Sequence, residues 1–110
     1  MQHMAKPAVC FSLALAICLA LTPDAAVAQA ASARGALVRD TAASCVRSQS
    51  VKPANFSRTV GAIHRYCDCY AQKLVDTLTA DELKAIERDL PPAVKAKADA
   101  ATAACAALAR

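Results

Sequence analysis

The chain predicts an all-α fold: a small disulfide-stapled bundle of about four helices that follows a cleaved signal peptide. Three observations predict it. Alanine, the strongest helix former, is abundant, while glycine occurs only at Gly35 and Gly61 and no alternating strand pattern of useful length exists. A single apolar stripe runs at helical spacing from Phe56 to Leu78. Cysteine is frequent for so short a chain, six in 110 residues.

The N-terminal segment decides which residues fold. Lys6 is the only charged side chain ahead of an apolar run, Val9 to Leu21. That run is too short to cross a bilayer as a helix, which takes roughly 20 apolar residues. Pro23 ends it, and "AAVAQA" puts small residues at the −3 and −1 positions of a cleavage site. This is the three-part pattern of a secretory signal peptide, residues 1–28, with cleavage after Ala28. Val9 precedes Cys10 and Ile17 precedes Cys18, so neither cysteine reads as a lipid-attachment site.

Removing 28 of the 110 residues leaves one domain of 82, residues 29–110, with no membrane span. Cys10 and Cys18 leave with the peptide, and Cys45, Cys67, Cys69 and Cys105 remain. Lys6 and Asp24 leave together, so the formal charge stays at +4. A domain of this size without Trp has a core of marginal stabilising power.

The first helix is expected over about Ala36 to Arg47, where Val38, Ala42, Cys45 and Val46 share a face. "SQSVKPAN" is a connection, because Pro53 disfavours helix in the residue before it. Asn55 or Ser57 is placed to cap the second helix. Its stripe of Phe56, Val60, Ile63, Cys67, Tyr70, Leu74 and Leu78 makes it the spine of the fold. "LTADEL" opens a third helix near Ala80: Thr79 and Glu82 form a capping box, flanked by Leu78 and Leu83 as a hydrophobic staple. Leu83, Ile86 and Leu90 form its stripe, and Pro91–Pro92 stops it. Proline is tolerated in a first helical turn, so a fourth helix follows at once, with Val94, Ala98, Ala101, Cys105 and Leu108 on one face.

In an oxidising compartment, four cysteines in a small chain form disulfides. Cys67 and Cys69 project from one helix about 200° apart, given 3.6 residues per turn, so they are not expected to bond to each other. Each reaches a different partner, Cys45 or Cys105, and the second helix is stapled on two sides. The favoured pairing is Cys67–Cys105 with Cys45–Cys69, on the expectation that the last two helices cover the main stripe; the swapped pairing is the alternative. Cys105 sits far enough along the fourth helix to meet the spine only if the two run antiparallel.

Other chemistries have less support in the residues. His64 and Cys67, three apart, can converge on a soft metal such as Cu(I) or zinc, but Cys69 cannot join them on an intact helix. Catalytic thiols with a depressed pKa often stand at helix N-termini, whereas these two cysteines lie mid-helix. The mature chain has a single histidine and no Gly-flanked serine at a nucleophile turn, which argues against hydrolytic catalysis. Basic residues alternate with acids and lack interleaved aromatics, so no nucleic-acid footprint is present. Tyr66 and Tyr70, four apart, read as packing or as half of a partner surface.

A cysteine in a first helix, "YCDC" in a second, "LTADEL" opening a third and a last cysteine near the C-terminus together resemble a group of small, alanine-rich, exported bacterial helical proteins of uncharacterised function. The resemblance implies a disulfide-stapled helical fold outside the bacterial cytoplasm and assigns no activity. In size, export and helix content the chain is also similar to small periplasmic proteins that bind other proteins, such as acid-stress chaperones and immunity proteins, a likeness at the level of fold alone. The expectation is a non-catalytic binding or accessory protein of the periplasm or the secreted fraction. It takes no cofactor and acts on another protein through a helical surface; a cysteine-based metal or redox protein is the alternative.

Overall fold

The structure, a computed structural model, describes residues 23–86 and 89–110. Four helices occur in it: α1, Pro23–Ser50; α2, Val60–Thr77; α3, Ala80–Ile86; and α4, Pro92–Cys105. Short 3₁₀ turns cover Pro53–Asn55 and Ala106–Ala109. No strand occurs among the described residues. The protein is a small all-α bundle stapled by two disulfides.

Helix α1 begins well before the expected Ala36. Nothing between Pro23 and Ala36 breaks an alanine-rich run, and a single interior glycine weakens a helix by only about 1 kcal/mol. Residues 23–33 are all exposed, which is why apolar spacing marked only the part of the helix that packs. The Ala28–Gln29 bond lies in this exposed stretch; the apolar run Val9–Leu21 lies outside the described residues.

The α1–α2 connection is closed by a buried polar side chain. Asn55 Nδ2 donates to the Gln49 carbonyl at 2.9 Å and to Gln49 Oε1 at 2.8 Å. Asn55 therefore ties the loop instead of capping α2. The cap is Thr59, whose Oγ1 accepts from the Ala62 amide at 3.1 Å. The expected stripe is accordingly shorter at its start: Phe56 and Val60 are each 71% exposed, because the backbone turns at residues 56–59 and the helical period does not extend back through them.

Both α1 and α4 run antiparallel to α2. Arg34 meets Val75 and Leu78 while Cys45 meets Cys67. Lys97 meets Thr77 while Cys105 meets Cys69. Both outer helices, and the 3₁₀ turn after α4, pack on α2, and α1 and α4 make no comparable contact with each other. The core follows this layout. Ile63 and Cys67 pack with Cys45, against Val46, Tyr66 and Tyr70. Leu74 and Leu78 pack with Val94 and Ala101, against Tyr70, Leu83 and Ala98. Burying each such Val, Leu or Ile side chain contributes about 1.5–3 kcal/mol. Ile86 and Leu90, expected in the stripe of the third helix, are exposed, and so is Leu108, expected in that of the fourth.

The disulfides correct the favoured pairing. Cys45 bonds to Cys67, and Cys69 to Cys105, rather than Cys67–Cys105 with Cys45–Cys69. The stripe on α2 is shared along its length, and no single neighbour covers it. The long α1 lies over its first half at Ile63 and Cys67, while α4 lies over its second half at Leu74 and Leu78. Cys69, on another side of α2, is left to the end of α4. The bonds close chain segments of 22 and 36 residues, each worth about 3–4 kcal/mol in the chain-entropy description.

Two outcomes follow. A peptide map of the unreduced protein contains Cys45–Cys67 and Cys69–Cys105 cross-links, and reduction removes most of the helical circular dichroism; helicity that survives reduction intact would contradict this account of stability. Gly35→Ala raises stability by about 0.5–1 kcal/mol in a denaturant titration, because an added Cβ meets nothing nearer than the Arg39 guanidinium at 3.6 Å.

Candidate functional site

The residues considered for metal or thiol chemistry do not come together. Cys67 and Cys105 are fully buried, Cys45 nearly so and Cys69 half-buried, and all four sulfurs are bonded in pairs. A disulfide sulfur is not the thiolate that holds a soft metal or attacks a substrate. His64 is exposed and lines a hollow with Asp68, Arg39 and Arg47 in which no cysteine takes part. Among the described residues no three His, Cys, Asp or Glu side chains form a cluster that could hold a metal ion.

The C-terminal end of α2 carries a polar constellation that sequence reasoning did not find. The last carbonyls of a helix lack intrahelical partners and carry partial negative charge. Here two cations from two different helices supply donors. Arg34 of α1 donates to the Val75 carbonyl at 2.8 Å and to the Leu78 carbonyl at 3.1 Å. Lys97 of α4 donates to the Thr77 carbonyl at 2.7 Å and to Glu82 Oε2 at 2.6 Å. The same carboxylate oxygen accepts from the Thr79 amide at 2.8 Å, and Thr79 Oγ1 accepts from the Glu82 amide at 3.2 Å, completing the expected capping box. The only advance signal was the capping box itself, since contacts spanning 41 and 44 residues leave no local pattern.

Lys97, the Thr79 amide and the Thr79 hydroxyl hold the Glu82 carboxyl below its ordinary 4.5, against the opposing effect of burial. A carboxyl with a lowered native pKa stabilises the fold above its unfolded value, and that contribution is lost as pH falls through the native value.

Further hollows border the helices among the described residues. The largest, about 570 Å³, runs between α1 and α3 and is lined by Ala33, Leu37, Leu83 and Ile86, with Arg34 and Lys84 also in its lining. A second, about 340 Å³, lies between α1 and α4, with Tyr66 and Tyr70 of α2 in its lining. Its walls are Thr41, Ser44, Ser48 and Gln49 on one side and Thr102 on the other. A third, about 320 Å³, shares Gln49, Tyr66 and Thr102 with the second and adds Lys52, Asn55 and Arg58. The two tyrosine rings stack at 6.2 Å and 22°. Burial, the Tyr66 phenol and the Asp99 carboxylate hold the Tyr70 hydroxyl above its ordinary 10.0, so it is a neutral group at physiological pH.

The expected pH behaviour is specific to one side chain. Glu82→Gln keeps an acceptor for the Thr79 amide and removes the charge that faces Lys97. The variant is less stable than the parent in urea at pH 7, and the gap narrows as pH falls below 4.5, the ordinary value of this carboxyl; a gap unchanged at pH 3 would show that charge is not what Glu82 contributes.

No helix among the described residues is long and apolar enough to cross a membrane. No protein-family model, curated protein or solved structure matches this chain.

Proposed function

We propose that the protein is a non-catalytic binding or accessory factor that is exported behind the signal peptide of residues 1–28 and works in the periplasm of a Gram-negative bacterium or in the secreted fraction. Its partner is another protein. The disulfides support a compartment outside the cytoplasm, since such bonds persist only where the surroundings are oxidising.

The observation that carries the reading is the α1–α3 groove. It is large and mostly apolar, and Ile86, 39% exposed, lines it. A mostly apolar surface whose lining also includes the Lys84 cation suits an amphipathic segment that carries an acidic residue beside its apolar face. The Cys45–Cys67 bond fits the same reading, as a staple that holds α1 on α2 while another of its faces lines the groove.

The test uses the chain expressed in cells with a photo-crosslinking residue at one position at a time. Placed at Ala33 or Ile86, it captures the same discrete protein; placed at Gln72, an exposed position of α2, it does not. Capture of nothing, or identical products from all three sites, overturns the reading. N-terminal sequencing of the protein released by osmotic shock is expected to begin at Gln29.

A further inference from the structure

The hollow between α1 and α4 has a different chemistry from the apolar groove. Most of its lining is hydroxyl-bearing, contributed by three helices. Ser48 Oγ donates to the Cys45 carbonyl at 3.0 Å. Among the described residues, the hydroxyls of Thr41, Ser44, Tyr66, Tyr70 and Thr102 have no hydrogen-bond partner within the chain. Such groups both donate and accept, as does the amide of Gln49. The adjoining hollow adds two cations, Lys52 and Arg58, and no carboxylate lines either one. Neither cation is in a salt bridge among the described residues.

We infer that these two hollows form one binding groove for an acidic oligosaccharide, with a sugar ring against Tyr66, hydroxyls on the Ser, Thr and Gln49 side chains, and a carboxylate toward Lys52 and Arg58. Three features carry this beyond a polar dent. A sugar presents closely spaced hydroxyls that each donate and accept, and the lining answers in kind. A tyrosine ring offers an apolar face to the C–H side of a sugar and a polar edge to its hydroxyls, and Tyr66 borders both hollows. The groove is also held at a fixed width. One wall, α1, is bonded to α2 through Cys45–Cys67, and the other, α4, through Cys69–Cys105, so little ordering is left to occur on binding. A simple anion would use the cations alone and leave the hydroxyl-lined length empty.

This inference is independent of the α1–α3 groove and stands or falls separately. The oxidised, isotopically labelled protein is titrated with trigalacturonate, maltotriose and inorganic phosphate, and backbone amide shifts are followed by NMR. Trigalacturonate is expected to shift Ser44, Tyr66 and Thr102 saturably and to bind about tenfold more tightly than maltotriose, the scale of a charge-assisted hydrogen bond. Tyr66→Ala weakens it about three- to tenfold, the scale of an aromatic contact, while Tyr66→Phe keeps most of the affinity. Lys52→Ala with Arg58→Ala removes the preference for the acidic sugar. Ser44→Leu, at an exposed position, blocks the groove without touching the core and gives the same loss if Tyr66→Ala disturbs folding. Absence of saturable shifts with either sugar, equal binding of the two sugars, or full displacement by phosphate overturns the assignment.

Discussion

Cys67 and Cys69 leave α2 in directions about 200° apart, and the bundle is arranged around that divergence. One residue between two cysteines is enough to send one bond to α1 and the other to α4. Had the spacing been three or four residues, both sulfurs would have faced the same side and one outer helix would have gone unbonded. A domain with this few large apolar side chains has little else with which to hold two separate neighbours on one helix. Total stability of such domains is about 5–15 kcal/mol, and two cross-links worth about 3–4 kcal/mol each are a large share of it.

The covalent ties sit at the middle of α2 and the polar ties at its C-terminal end. Cys67 and Cys69 hold α1 and α4 partway along the helix, and the carbonyls of Val75, Thr77 and Leu78 hold the same two helices at its C-terminus through Arg34 and Lys97. Each outer helix is thus fixed at two heights, which sets its angle as well as its distance. Glu82 joins this end to α3, because the oxygen that caps α3 also receives Lys97. The short α3 has no buried residue of its own; its place depends on this polar junction and on Leu83 packing against the Leu74–Leu78 cluster.

Pinning both outer helices to one central helix, without packing them on each other, leaves clefts. The cleft between α1 and α4 is polar because the α2 residues at its floor are tyrosines and the α1 residues at its wall are serines and threonines. The cleft between α1 and α3 is apolar because α1 presents alanines and Leu37 there, opposite Leu83 and Ile86. With Cys45, Cys67, Cys69 and Cys105 bonded in pairs, none of the four is a free thiol. The disulfides themselves indicate an oxidising environment outside the cytoplasm.

Features that depend on neighbours a few residues apart were legible in the chain before folding was considered. Alanine content and the spacing of Ile63, Cys67, Tyr70, Leu74 and Leu78 set the helical class and the central helix. Thr79 and Glu82 set the start of α3, Pro92 set the start of α4, and the divergence of Cys67 from Cys69 required two separate partners for them. Each is a matter of local geometry and propensity, written in consecutive residues. Tertiary structure alone decided which partner each cysteine took, where the stripe passes from α1 to α4, and that Arg34 and Lys97 converge on the end of α2. It also decided that Phe56 and Val60 stay exposed and that residues from three helices line one hydroxyl-rich groove. Those outcomes depend on the relative height and side at which helices dock, and that placement is fixed by the sum of many distant contacts, which no short window of sequence records.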